Sequence, residues 1–167
     1  RVAVKDSNKV DRELLKKDAD YRMNPPLRTE KDRLAMIEAL RDGTIDAIAT
    51  DHAPHTPEEK ADFLKAPNGS IGMETSFSAS YTALVKTGVL TLPALIERMS
   101  VRPAQILGIE AGVIEAGAPA DIALIDENAV WTGDPDKLHG KSRNTPFKGM
   151  TLHAKVRATV CGGRIVY

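Results

Sequence analysis

No stretch of the sequence reaches the ~18 consecutive apolar residues of a membrane-spanning helix, and no charged-then-apolar leader opens it. A membrane partner is therefore not expected. Net charge is missing as well, because 23 Lys and Arg residues balance 23 Asp and Glu residues. Nothing long-ranged then attracts nucleic acid, an anionic bilayer or an acidic substrate, so any ligand must be recognised by local residues. Cysteine is nearly absent. The single Cys161 cannot close an internal disulfide, and in its apolar run it reads as a buried small hydrophobe in a reducing compartment, which points to the cytoplasm. Internal repeats and low-complexity tracts are also lacking. What the chain has in good measure is apolar residues, 42% of 167, enough for the packed core of one domain or of a piece of a larger one.

Residues 1 to 23 carry charged runs such as Lys5-Asp6-Ser7-Asn8-Lys9 and show no apolar period, so they read as a surface segment with at most a short helix around Arg12 to Lys17. Pro25-Pro26 forbids a helix. Thr29 then offers an N-cap with Asp32 three residues on, and Leu34, Ile37 and Leu40 recur at helical spacing until Gly43. The run Ile45-Asp46-Ala47-Ile48-Ala49 suits a buried parallel strand that ends in Thr50-Asp51-His52-Ala53-Pro54-His55. A helix is expected from about Glu74 to Lys86, closed by Gly88. Two short helices follow, with Thr91 and Ser100 as caps, Pro93 and Pro103 in their first turns, and Gly108 as the stop of the second. Strands are expected at Asp121–Asp126 and in a hairpin of Leu152–Val160 and Arg164–Tyr167 around Gly162-Gly163. The change of texture near residues 108 to 113 divides an α/β part, 1–110, from an all-β part, 111–167.

Of the four histidines, only His52 and His55 share a loop with a carboxylate, that of Asp51. In parallel α/β folds the C-terminal ends of strands converge on one rim, and an Asp there can ligate a metal or act as a general base. Spacing alone leaves open that Asp51 merely caps a turn and that both histidines are solvated. The surrounding segments decide between these readings. Tyr21-Arg22-Met23-Asn24-Pro25-Pro26-Leu27-Arg28, Thr50 to His55, Ala66-Pro67-Asn68-Gly69, Gly72-Met73-Glu74-Thr75, Arg102-Pro103-Ala104 with Gly108, Gly117-Ala118-Pro119-Ala120-Asp121 and Lys141 to Gly149 occur in one order. Together they strongly resemble the bacterial dihydroorotases of the longer-chain class, in the amidohydrolase superfamily.

That resemblance implies the last part of a (β/α)8 TIM barrel, which takes about 250 residues when complete, plus the C-terminal strands of a small β-sandwich. It implies zinc, two ions per complete site, and reversible cyclisation of N-carbamoyl-aspartate to dihydroorotate in pyrimidine biosynthesis. By matching position, Asp51 resembles the last-strand aspartate that ligates zinc and moves the proton. Asn24 and His55 resemble the residues that contact the small-molecule substrate, and Asn68 and Gly69 the loop that closes over the ring. The family often has an aromatic residue where Asn68 stands, so a main-chain contact is implied there. The resemblance also implies a homodimer or association with aspartate transcarbamoylase as partners to be considered. His139 and His153, in the β-rich tail, read as structural or surface residues. Asn144-Thr145-Pro146-Phe147 reads as a shaped turn with a buried ring, Trp131 as a packing residue of the sandwich, and Arg28 has no assigned role.

The family's His-x-His pair is not found, and no histidine precedes His52. Asp51 alone cannot hold zinc, because a catalytic site takes roughly three protein ligands per ion. The expectation is a fragment, inactive by itself, whose partner is the missing N-terminal part of the barrel. Two other readings compete. An allantoinase or hydantoinase shares the barrel and its aspartate, but a histidine four positions after that aspartate marks the dihydroorotase pattern. A non-catalytic dihydroorotase-like subunit would not need Asp51, His55 and Asn24.

Overall fold

A computed structural model describes residues 18–167. The short helix expected around Arg12 to Lys17 lies outside the described residues. Within them, the end of the supposed surface segment is anchored: a 3-10 turn at Ala19–Tyr21 buries Ala19, and the Tyr21 hydroxyl donates to the Pro146 carbonyl at 3.2 Å.

Helix α1 (Glu30–Asp42) forms where the capping signal places it. The Asp32 N–H donates to the Thr29 hydroxyl at 3.4 Å while the Thr29 N–H donates to the Asp32 carboxylate at 3.1 Å, so two orphan donors of the first turn are satisfied reciprocally. Gly43, left-handed at φ 86°, ends the helix. Leu40 is buried with Leu84, Leu90 and Leu95, and Ile37, Ile45 and Ile48 pack against that cluster. Leu34 stays exposed.

The strand expected at Ile45–Ala49 does not form. A parallel strand needs hydrogen-bonding neighbours, and none of the described residues supplies a ladder on either edge. The Ile48 N–H instead donates to the Arg98 carbonyl at 2.9 Å, and the two isoleucines hold the segment on the helices through the apolar core.

Helix α2 (Ser76–Ser80) runs on through a π turn at Tyr81–Val85, two residues later than expected because Glu74 is engaged elsewhere. The two short helices predicted around Thr91 and Ser100 are one. Helix α3 (Leu92–Ile96), capped by Thr91, passes through a π turn (Glu97–Val101) into α4 (Arg102–Leu107). Ser100 is thus no cap. Pro103 has no N–H to give to the preceding turn and its ring crowds that turn's carbonyls, and the widened π turn just before it relieves both problems. At the end of α4, Gly108 at φ 65° donates to Gln105 and Ile109 to Ala104, which closes a Schellman motif.

Strands β1 (Ile122–Thr132), β2 (Thr151–Cys161) and β3 (Arg164–Ile165) form an antiparallel sheet in the order β1-β2-β3. β1 runs six residues past its predicted end at Asp126. The polar Glu127-Asn128, which read as a stop, are absorbed in an irregularity between Asp126 and Val130 opposite Ala154. Ala154 is fully buried at φ 59°, and its carbonyl accepts from Ser78 Oγ of α2 (2.7 Å) and from Trp131 Nε1 (3.1 Å). The kink in β2 therefore seats the sheet on α2. Cys161, read as a buried hydrophobe, is exposed, because it lies at the tip of the β2–β3 hairpin where no layer covers it. Among the described residues no helix is long and apolar enough to cross a membrane.

Candidate functional site

Asp51 ends the Ile45–Thr50 segment with φ at 46°, a left-handed conformation that Asp tolerates better than most residues, and it is exposed. The residues after it are tied to the segment 69–73. His52 Nδ1 accepts from the Gly72 N–H at 3.1 Å and lies 3.4 Å from the Met73 nitrogen, which puts the ring's own proton on Nε2. The Ala53 N–H donates to the Ser70 carbonyl at 2.9 Å. Gly72 passes so close that a Cβ on it would lie 3.3 Å from the Thr50 Cβ.

His55 faces the same segment. Its Nε2 is 3.2 Å from the Asn68 carbonyl, and its Nδ1 is 3.5 Å from the Glu59 carboxylate, which also caps the turn by accepting the Thr56 N–H. Asn68 and Gly69 are engaged from several sides. The Gly69 N–H donates to the Arg22 carbonyl at 2.8 Å, the Asn68 side chain accepts from Arg22 Nε at 3.2 Å, and Lys60 Nζ donates to the Pro67 and Gly69 carbonyls at 3.0 and 2.8 Å. Gly69 stands at φ 112°, and a Cβ added there would meet the Ala53 Cβ at 2.6 Å. Only glycine fits.

One buried side chain joins both loops. Asn144 accepts the His55 N–H and donates to the Ala53 and Gly69 carbonyls. The sequence reading assigned its segment only a turn and a buried ring, and Phe147 is in fact half-buried. Arg22 and Lys60 were missed as well, although both lie in or beside the segments that carried the resemblance. Their signal was faint because nothing in a sequence shows which backbone carbonyls lack partners.

Burial is the largest influence on Lys60 and pushes its ammonium below the ordinary lysine range, partly offset by the Asp20 carboxylate nearby. Burial likewise dominates at Asp20 and raises its carboxyl, with Asp18 adding to the rise.

His55, Asn68 and Gly69 thus share one hydrogen-bonded network, and Asp51 lies two residues before Ala53 in the chain. Asn24 is exposed, two residues from the Arg22 carbonyl that holds Gly69. Arg28 forms a 3.7 Å ion pair with Asp32 at the start of α1. His153 lies in β2, with its N–H on Thr82 Oγ1. His139 is exposed and brackets Glu74: its N–H and ring Nδ1 lie 2.9 and 3.1 Å from one carboxylate oxygen, and the Gly140 N–H donates to the other. Burial opposes ionisation of Glu74, but these hydrogen bonds together hold its carboxyl below the ordinary range. A cavity of ≈ 780 Å³ between the start of α2 and the sheet, lined by Phe77, Trp131 and Tyr167, contains none of the predicted site residues.

Among the described residues no group of three or more His, Cys, Asp or Glu side chains could hold a metal ion. The donors present do not by themselves make a zinc centre. Asp51 can offer one oxygen to an ion whose other ligands come from elsewhere.

Residues 3–166 match the sequence profile of the Amidohydrolase family. A dihydroorotase of Geobacter metallireducens is 52% identical over 151 residues, 90% of this chain and 35% of that protein, and one of Bacillus caldolyticus is 50% identical over the same shares. The chain therefore spans about a third of the length of the curated relatives it matches. Among solved structures, a D-hydantoinase (dihydropyrimidinase) from Thermus sp. superposes with a TM-score of 0.80 at 27% identity, over 88% of this chain and 33% of that one. An L-hydantoinase (dihydropyrimidinase) from Arthrobacter aurescens superposes at 0.81 with 30% identity, over 88% and 34%.

Proposed function

Because this chain belongs to the amidohydrolase family, we propose that it is the C-terminal third of a dihydroorotase, residues 1–110 supplying the last strands and helices of a (β/α)8 barrel and 111–167 strands of a small β-sandwich. The reaction is reversible cyclisation of N-carbamoyl-aspartate to dihydroorotate in the cytoplasm. The observation that carries this reading is identity of about half to dihydroorotases, together with a His55 that reaches from the Asp51 loop to the Asn68 carbonyl. The hydantoinase reading rests on solved structures of 27 and 30% identity, and that level of likeness speaks for a shared barrel rather than a shared substrate.

Asp51 would offer one carboxylate oxygen to a zinc ion, whose remaining ligands would come from the part of the barrel that this chain does not contain. A zinc held there would supply an acidified water, with a pKa of about 7, and polarisation of the ring carbonyl. In the hydrolytic direction Asp51 accepts the proton of the attacking water and returns it to the departing ring nitrogen. An amide nitrogen leaves poorly unless protonated, so one carboxylate acting first as base and then as acid serves both steps. His55, Asn24 and the Asn68–Gly69 backbone hold the substrate and remove its orientational freedom before reaction. In this conformation the N–H and carbonyl of Gly69 and the carbonyl of Asn68 are all engaged inside the protein, so substrate contact by this pair exchanges some of those bonds.

The test is a substrate panel on a polypeptide carrying this segment together with the remaining barrel strands. Dihydroorotate should be turned over far faster than hydantoin or allantoin, and His55→Ala should raise KM for dihydroorotate with a smaller fall in kcat. Preferential hydrolysis of hydantoin would replace this reading with the runner-up.

A further inference from the structure

Two loops that carry the proposed chemistry are joined by one amide from a distant part of the chain. Asn144 is 4% exposed. Its Oδ1 accepts the His55 N–H at 3.1 Å, and its Nδ2 donates to the Ala53 carbonyl at 2.9 Å and the Gly69 carbonyl at 3.3 Å. Its backbone carbonyl accepts the Ile71 N–H at 2.9 Å. The side chain thus spends its acceptor on the loop that bears Asp51 and divides its two donor protons between that loop and the Asn68–Gly69 loop. A carboxylate could accept here but not donate, and a hydroxyl has a single proton to give.

The loops run close at Gly69, where an added Cβ would lie 2.6 Å from that of Ala53. Direct bonds from Ala53 to Ser70, from Gly72 to His52 and between His55 and Asn68 also tie the two loops, and among the described residues Asn144 is the one side chain from outside them that bonds to both. We propose that Asn144 is a positioning residue for the reaction. Together with those direct bonds it fixes the relative orientation of the Asp51–His55 loop and the Asn68–Gly69 loop, so that the proton-transferring carboxylate and the substrate-holding groups act on one bound molecule. This inference rests on the dihydroorotase reading.

Lys60 provides the contrast, because its ammonium donates to the Pro67 and Gly69 carbonyls and to no carbonyl of the Asp51 loop. In the polypeptide that carries the whole barrel, Asn144→Ala should lower kcat and raise KM together, for a combined loss of roughly 100-fold in kcat/KM at unchanged zinc content. Lys60→Met should act mainly on KM. Asn144→Asp, which is isosteric and keeps the acceptor for the His55 N–H, should be impaired like the alanine variant, because its oxygen then faces two carbonyls. It also decides the matter if Asn144→Ala does not fold. Folded, zinc-loaded variants with kcat and KM both within about threefold of the parent would overturn the proposal, as would a loss confined to KM in Asn144→Ala. An inactive parent enzyme would instead count against the dihydroorotase reading itself.

Discussion

At Gly69 the backbone conformation and the space around it make the same demand. Its φ of 112° is a region that side chains rarely enter, and the Ala53 methyl occupies the place of a Cβ. Gly69→Ala should therefore strain the loop by about 1–3 kcal/mol and push it off the Asp51 loop, lowering the melting temperature and raising KM for dihydroorotate. Thermal unfolding and steady-state kinetics on the same preparation check this, and an unchanged KM would show that the loop's position does not matter to the substrate. Residues of this kind are only half legible. The Asn68-Gly69 pair was visible as a loop signal and as part of a resemblance, and Asp51 and His55 were visible as a polar cluster after an apolar run. Asn144 was not, because an asparagine before Thr-Pro reads equally well as a turn former, and its partners lie 75 to 91 positions away. The roles of Arg22 and Lys60 escaped for the same reason: each donates to carbonyls that the sequence does not mark as needing donors.

α1, whose ends are fixed by local chemistry, was read correctly, and β2 was read to within one residue at each end, whereas the Ile45–Ala49 run and the Ser100 cap were not. α1 follows from Thr29, Asp32 and Gly43, and its capping box makes a separate prediction. The Thr29 hydroxyl is the chief cause that holds the Asp32 carboxyl below its ordinary 3.8, followed by the Thr29 N–H. A depressed carboxyl stabilises the fold above its unfolded value, and that contribution is lost as the pH falls through the folded value. Thr29→Ala should cost about 0.5–2 kcal/mol near neutral pH. The difference from the parent should shrink as the pH is taken below 3.8, and denaturant unfolding across that range measures it. The Ile45–Ala49 run failed as a strand for the opposite reason. Its composition is that of a buried parallel strand, but composition cannot supply neighbours, and its isoleucines reach the helix core without a ladder. Ser100 failed as a cap because the π turn before Pro103 lets the helix continue, which apolar periodicity does not reveal.

For the whole molecule, the sequence already pointed to an incomplete site. Asp51 is one exposed carboxylate, and among the described residues nothing joins it into a metal-binding cluster. The chain by itself should bind zinc only weakly and should not hydrolyse dihydroorotate, and titration calorimetry with zinc alone tests the first part. A tight stoichiometric site would mean ligands outside the described residues. The proton-transfer role is tested most directly at Asp51 in the complete enzyme. Asp51→Asn keeps an oxygen for zinc but can no longer accept and return a proton, so the loss should fall on the transition state rather than on binding. Measured as kcat for dihydroorotate hydrolysis and for the reverse ring closure, turnover should drop at least about 100-fold in both directions, with substrate affinity better preserved. Retention of more than about a tenth of the parent kcat, well short of the loss that removal of a general acid–base group usually causes, would contradict the role given to Asp51.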